Sequence, residues 1–234
     1  MNSAQRKDYL AALGLESWEL RRAAASRALT AVPAAAADGP AAQVPDALCD
    51  WEQLRARVAA CTRCALSQGR TQTVFGVGSL QAQWLIVGEA PGAEEDRQGE
   101  PFVGRAGQLL NSMLRAIGLA REQVFIANVL KCRPPGNRDP AASESAACSP
   151  YLERQIALLN PRIMLAVGRI AAQNLLHTDA PLGKLRQQRH SFGKSRVPLV
   201  VTYHPAYLLR SPTDKRKAWE DLKFAREACA RVER

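Results

Sequence analysis

No apolar run in this 234-residue chain approaches the ~18 to 20 residues that a helical membrane span needs. The first twenty residues carry Arg6, Lys7, Asp8, Glu16 and Glu19, which leave no uninterrupted apolar core for a signal peptide. The expectation is a soluble protein of a reducing cytoplasm, where six cysteines point to metal or cluster ligands rather than disulfides. Acidic residues are in deficit, 22 against 32 Lys plus Arg, and the net charge of +10 favours a polyanion as partner over an acidic protein surface. Histidine occurs only three times, so each one carries weight. No internal repeat is present, which sets aside solenoid and propeller folds. What the chain has is apolar content, 47%, enough for one sizeable core.

Residues 1 to 47 hold five basic and five acidic residues, so the whole net charge belongs to residues 48–234. Between Ala23 and Ala47, twelve of 25 residues are Ala, interrupted by Pro33, Gly39, Pro40 and Pro45 and carrying no apolar stripe. This composition predicts a flexible linker over 23–47, preceded by a short apolar peptide over 1–22 with Leu10, Leu13, Leu15, Trp18 and Leu20. After it, Asp50–Ala60 is read as a helix leading into Cys61. Four runs then recur, Trp84–Val87, Val124–Ala127, Ile163–Val167 and Pro198–Thr202. They are apolar on both faces, as buried parallel strands are. Helical stretches separate them at Gly107–Ile117, Tyr151–Leu159 and Ile170–Leu176, and Pro212–Val232 closes the chain. Strand, helix, strand at this spacing predicts an α/β fold with a four-stranded parallel sheet.

The strand ends carry the chemistry. The runs lead into Gly88-Glu89-Ala90-Pro91-Gly92, Asn128, Gly168-Arg169 and His204-Pro205. Ligands of open parallel sheets bind outside the carboxyl ends of strands, so Glu89, Asn128 and His204 are expected to share a pocket. A carboxylate there can activate water, and an Asn amide can present a donor and an acceptor to a base edge. The leucines of His204-Pro205-Ala206-Tyr207-Leu208-Leu209-Arg210 can wedge into a base stack. From Lys184 to Lys217 nine basic residues face one acid, Asp214, as phosphate contacts require. Cys61-Thr62-Arg63-Cys64, with Cys132 and Cys148, can complete a four-thiolate site for zinc or for a [4Fe-4S] cluster, with ordinary buried thiols as the alternative. Cys49 and Cys229 are read as small buried thiols.

Gly88–Asp96, Pro101-Phe102-Val103-Gly104-Arg105-Ala106-Gly107-Gln108-Leu109-Leu110, Asn128-Val129-Leu130-Lys131-Cys132-Arg133-Pro134-Pro135-Gly136-Asn137-Arg138 and His204–Arg210 together resemble the family 4, iron-sulfur, uracil-DNA glycosylases. The likeness covers about residues 50–232 in unbroken order. It implies a three-layer αβα fold and a [4Fe-4S] cluster on Cys61, Cys64, Cys132 and Cys148. It also implies that a uracil flipped out of DNA stacks on Phe102 and that Asn128 reads its Watson-Crick edge. His204 then donates to uracil O2. Glu89, with the turn backbone of Gly88, Ala90 and Gly92, positions the attacking water, and Glu95 crowds the uracil C5 position against thymine. Leu208 fills the vacated stack beside Arg210. The family's strongest catalysts put an Asp where this chain has Ala90.

The first residues depart from that family. Leu10-x-x-Leu13-Gly14-Leu15-x-x-Trp18-x-Leu20-Arg21-Arg22 resembles the N-terminal peptide of the psi subunit of bacterial DNA polymerase III clamp loaders, which implies docking on the clamp-loader collar through residues 10–22. Two other readings stand beside the enzyme: a non-catalytic psi-like clamp-loader subunit on a glycosylase fold, and a zinc-bearing nucleotide-binding protein. Phe102, Asn128 and His204 together favour the enzyme. It is expected to be a cytoplasmic, nucleoid-associated monomer. With no lysine beside the motif residues to form a Schiff base, it is also expected to be monofunctional and to leave an abasic site.

Overall fold

The computed structural model describes residues 48–193 and 196–231. The docking peptide expected over 1–22 and the linker expected over 23–47 lie outside them, as do Lys194 and Val232. The described residues build one sheet from β1 (Val77–Gly78), β2 (Trp84–Gly88), β3 (Phe125–Asn128), β4 (Ile163–Val167), β5 (His190–Phe192) and β6 (Val197–Thr202). Its spatial order is β1-β3-β2-β4-β6-β5. The four expected strands are its parallel centre, β3-β2-β4-β6, and the two short ones pair antiparallel at the edges.

Side chains alternate across the sheet with period two, and both faces are covered. Leu85, Val87, Phe125, Ala127, Met164, Ala166, Leu199 and Val201 pack on one face against the helices Trp51–Ala59, Ala142–Leu159 and Arg169–Leu176. Ile86, Ile126, Leu165, Val167 and Val200 pack on the other against Arg105–Ala116, Pro205–Arg210 and Lys215–Arg231. This is the three-layer αβα arrangement. Cys49 and Cys229 are both buried in it.

The helix expected from Tyr151 begins nine residues earlier, at Ala142. Pro150 does not break it. The proline deprives the Ala146 carbonyl of its intrahelical N–H, and the Ser149 hydroxyl donates to that carbonyl instead, at 3.2 Å. At the other end of the chain, the segment expected as one helix from Pro212 is a 3₁₀ turn, Pro212–Asp214, followed by the helix Lys215–Arg231.

Register aligns the strand ends. Gly88 of β2 lies opposite Asn128 of β3, and Val167 of β4 opposite Thr202 of β6. The segments after β2, β3 and β6 therefore leave the sheet on one edge.

Candidate active site

Glu89, Asn128 and His204 line one cleft of about 390 Å³ at that edge, together with Ala90, Gly92, Glu95, Phe102 and Arg210. A larger groove, about 530 Å³, runs between the helices Ala142–Leu159 and Arg169–Leu176. It contains none of the polar strand-end side chains, so chemistry rather than size assigns the site to the smaller cleft.

Phe102 holds an unusual backbone conformation, φ 55°, which is costly for an aromatic residue and persists only where its surroundings impose it. Two glycines make room for it. A Cβ on Gly88 would stand 2.7 Å from the Phe102 ring, and one on Gly107 would stand 1.7 Å from its carbonyl oxygen. The Arg121 guanidinium then fixes the segment, donating to the carbonyls of Pro101 at 2.6 Å and Phe102 at 3.2 Å and to Asn111 Oδ1 at 3.2 Å. Glu95 holds the following loop, its Oε1 accepting from the Val103 and Gly104 amides at 3.0 and 3.2 Å. Its other oxygen sits against Gly92, where a Cβ would come within 2.6 Å of it.

His204 caps the helix Pro205–Arg210, and its Nδ1 accepts from the Ala206 amide at 3.1 Å. That bond leaves the ring proton on Nε2. Burial, aided by the nearby Arg210 charge and opposed by Glu95, pushes the imidazole down to about 4, so the ring is a neutral donor at physiological pH. Its ring centroid lies 5.6 Å from that of Phe102, with the planes tilted by 32°.

Asn128 is 2% exposed, and its Oδ1 is buried without a hydrogen-bond partner. A buried acceptor left unpaired costs about 1–3 kcal/mol unless a ligand completes it. Glu89 is half-buried. Desolvation, reinforced by Asp139 and opposed by Arg169, raises its carboxyl to about 7. Arg169 and Asp139 pair with each other at 2.7 Å. The sequence reading gave Asp139 no role, although it follows the Asn137-Arg138 end of a motif, and all three line the cleft.

Two expectations fail. Leu208 is 1% exposed and packs in the core, because Pro205 and Leu208 share the inward face of their helix. It cannot enter a base stack from that position, whereas Arg210 is exposed at the rim. The second is only the premise that no lysine stands beside the motif residues. Lys131 stands within a motif, three residues after Asn128, but it is buried and bonded to the Asn128 carbonyl, and it does not line the cleft.

Cys61, Cys64, Cys132 and Cys148 line one small internal cavity with Arg63, Arg70, Lys131 and Tyr151. Donors point at the sulfurs: Arg70 at Cys132 Sγ, 3.1 Å, and the Lys131 amide at Cys148 Sγ, 3.3 Å. Two polar atoms in the wall, one Arg63 guanidinium nitrogen and the Tyr151 hydroxyl, are buried without partners. Among the described residues no three His, Cys, Asp or Glu side chains gather around the position of a single metal ion. Four thiols facing one cavity, cations beside them and orphaned donors in the wall fit an anionic group broader than one ion.

A family model described as the uracil DNA glycosylase superfamily matches residues 75–223. The chain is similar to the type-4 uracil-DNA glycosylase of Sulfurisphaera tokodaii, 43% identical over 183 residues, covering 75% of this chain and 83% of the relative. The type-4 enzyme of Archaeoglobus fulgidus is 42% identical over 182 residues, 74% of this chain and 90% of its own. That of Thermotoga maritima is 43% identical over 175 residues, 73% and 90%.

Proposed function

The chain belongs to the uracil DNA glycosylase superfamily, and from that premise we propose that Phe102, Asn128 and His204 hold a uracil flipped out of DNA while its N-glycosidic bond is hydrolysed. The reaction class is N-glycoside hydrolysis on a DNA substrate. The unpaired Asn128 Oδ1 carries the assignment of the base. It is an acceptor awaiting a donor, and uracil N3–H supplies one while the amide NH₂ meets uracil O4. Cytosine presents a bare N3 and an amino group there, so it reverses both bonds and is rejected.

Flipping costs a few kcal/mol, offset by stacking on Phe102 and by these bonds. The C1′–N1 bond then breaks with its electron pair going to the base. His204 Nε2–H donates to O2 as negative charge accumulates there. Water bonds to C1′, held by Glu89 and the turn from Gly88 to Gly92, and its proton passes to the Glu89 carboxylate. The released uracil anion takes up a proton from solvent and Glu89 returns its own to water, so the products are uracil and an abasic site. A neutral histidine suits this task, since it stabilises the developing anion without first losing a proton. Glu95 sets the Val103–Gly104 loop and meets the C5 edge, where thymine differs. Arg210 contacts the DNA backbone. Leu208 supports the helix beneath the rim, and the half-buried Leu209 is the leucine available to the stack.

Cys61, Cys64, Cys132 and Cys148 are the proposed ligands of a [4Fe-4S] cluster, supported by their common cavity and its donors. Bound there, the cluster supplies iron–thiolate bonds that tie the segment before β1 to the loop after β3 and to the helix Ala142–Leu159. The peptide 10–22, on its linker, is proposed to tether the enzyme to a clamp loader in a nucleoid-associated setting. Sequence resemblance alone supports that part. No helix among the described residues is long and apolar enough to cross a membrane.

Incubation with a single-uracil oligonucleotide followed by alkali tests the reaction. Strand cleavage at uracil and none at thymine or cytosine is expected, and no cleavage would leave the non-catalytic reading. Borohydride trapping of a covalent adduct would contradict monofunctionality. Trp18→Ala should abolish co-purification with the clamp loader, and unchanged co-purification would sink the tether.

A further inference from the structure

Arg186, one of the nine basic residues from Lys184 to Lys217, turns away from solvent, its side chain 11% exposed. It forks onto Asp221, a fully buried carboxylate of the helix Lys215–Arg231, with Nε donating to Oδ2 at 2.7 Å and Nη2 to Oδ1 at 2.9 Å. Gln187 Nε2 donates to Oδ1 at 2.7 Å, and the Thr202 hydroxyl donates to Oδ2 at 2.9 Å. Four hydrogen bonds fill the acceptor positions of one carboxylate. A buried pair of charges adds little net stability, because desolvating both offsets their attraction. What the fixed bonds add is direction.

That direction is toward His204. Thr202, fully buried, ends β6 two residues before it, and the Thr202 carbonyl accepts from the Gly168 amide at 2.8 Å. Gly168, at φ 105°, leaves no room for a side chain, since a Cβ there would stand 3.0 Å from His204 Cβ and 3.3 Å from Cδ2. The end of β4 is thus packed against the imidazole. Tyr203, the next residue along β6, has the Arg186 guanidinium 4.5 Å from its ring centroid and stacks on Tyr207, centroids 5.2 Å apart and planes 14° apart. Tyr207 donates to Asp214 Oδ2 at 2.6 Å, Asp214 pairs with Lys217 at 2.8 Å, and the Lys217 carbonyl accepts from Arg186 Nη2 at 2.7 Å. These contacts close a ring that starts and ends at Arg186. Because His204 Nδ1 accepts from the Ala206 amide, the imidazole turns with the helix that the ring holds.

We propose that Arg186 and Asp221 are positioning residues for His204, fixing the strand end before it and the helix after it so that Nε2–H is aimed at the departing base. This rests on the role given to His204 above. Neither residue lines the cleft, so each acts through His204. Arg186 is spent inside the protein and is not one of the phosphate contacts. With the brace removed, His204 keeps its chemistry and loses its aim, which weakens the bond made in the transition state and leaves DNA binding intact.

Two variants remove bonds of the brace without stranding a buried charge. Thr202→Val keeps the ion pair and loses one bond. The combined Arg186→Met/Asp221→Leu exchange replaces the pair by apolar groups, a change that is often neutral for stability. Near-ultraviolet circular dichroism establishes folding. Single-turnover uracil excision is expected to fall about 10- to 100-fold in the combined variant, as for a reacting group misplaced by about 1 Å. The loss should be smaller in Thr202→Val and absent in Thr202→Ser, with DNA affinity within a few-fold of wild type throughout. A double-mutant cycle then separates aim from general damage. In a His204→Ala background the combined exchange should cause no further loss, and in an Asn128→Ala background it should keep its full effect. Should the combined variant not fold, Thr202→Val is carried through the same cycle. Equal losses in all three backgrounds, or wild-type excision by the folded variant, would overturn the proposal. Excision by His204→Ala as fast as by wild type would instead overturn the reading of His204 on which it stands.

Discussion

The cleft and the four-cysteine cavity lie on either side of Lys131, and they handle negative charge in opposite ways. Around the cysteines, the Arg70 guanidinium and the Lys131 amide donate to sulfur and Arg63 lines the same cavity, so positive charge is built in beside groups that carry charge permanently when ligated. Around the base site, the His204 imidazole is held neutral and Glu89 is held near the point where it gives up its proton. Permanent charge is balanced by cations. Transient charge is met by dipoles that cost nothing until the bond breaks. A cation in the base site would bind phosphate or a ground-state oxygen as readily as the departing uracil, and the gain specific to the transition state would shrink.

The largest effect on this contrast is expected from His204→Ala. Removing a hydrogen bond made to the developing anion should lower single-turnover excision by about 10²- to 10³-fold, roughly 2.7–4 kcal/mol, with DNA binding little changed. Equal losses in binding and turnover would assign His204 to the ground state.

Leu208→Ala comes next and sharpens the boundary between site and core. A fully buried leucine cut to alanine should cost about 2–5 kcal/mol of stability, read as a lower denaturant midpoint, with modest loss of excision in protein that is still folded. Full stability with defective flipping would restore the wedge role that its burial removes.

Arg121→Met should release Phe102 from its imposed backbone. With the two carbonyl contacts gone, we expect kcat/KM to fall by about 1.5–3 kcal/mol, mostly through weaker uracil binding. Free uracil inhibiting the variant as strongly as wild type would show that Phe102 holds its place without help.

The smallest effect is a change of pH profile. With Glu89 near 7 and its carboxylate the working form, kcat/KM should rise as pH increases to about 7 and then level off, while Glu89→Gln should be flat. His204, neutral above about 4, adds no second limb. Stability runs the other way. Between the unperturbed 4.5 and the folded 7 the native state binds more protons than the unfolded chain, so Glu89's contribution falls as pH rises through that window. Glu89→Gln should therefore raise the melting temperature at pH 8 relative to wild type and change it little at pH 4. Parallel pH curves for the two proteins would count against the water-positioning role.

Much of the base site was legible from the order of residues because the four strands are apolar on both faces. Once they are read as a parallel sheet, Glu89, Asn128 and His204 must emerge together at one edge. The edge strands Val77–Gly78 and His190–Phe192 were not legible, being too short to show any period. Pro150 reads as a helix break, and only the Ser149 hydroxyl on the Ala146 carbonyl explains why it is not one. Leu208 misleads for a related reason. In an extended loop after His204 it would face solvent, but Pro205 starts a helix that turns it inward. Arg121 and Lys131 act on carbonyls far from their own chemistry, and sequence spacing gives no sign of which carbonyls a long side chain will reach.

The central claim is that the unpaired Asn128 Oδ1 is the acceptor that reads uracil. Single-turnover excision of uracil by Asn128→Ala, measured beside its affinity for the same oligonucleotide, tests it most directly. A loss of about 10²-fold or more in rate, with DNA affinity within a few-fold of wild type, is the predicted result. Retention of most of the wild-type rate would contradict the account.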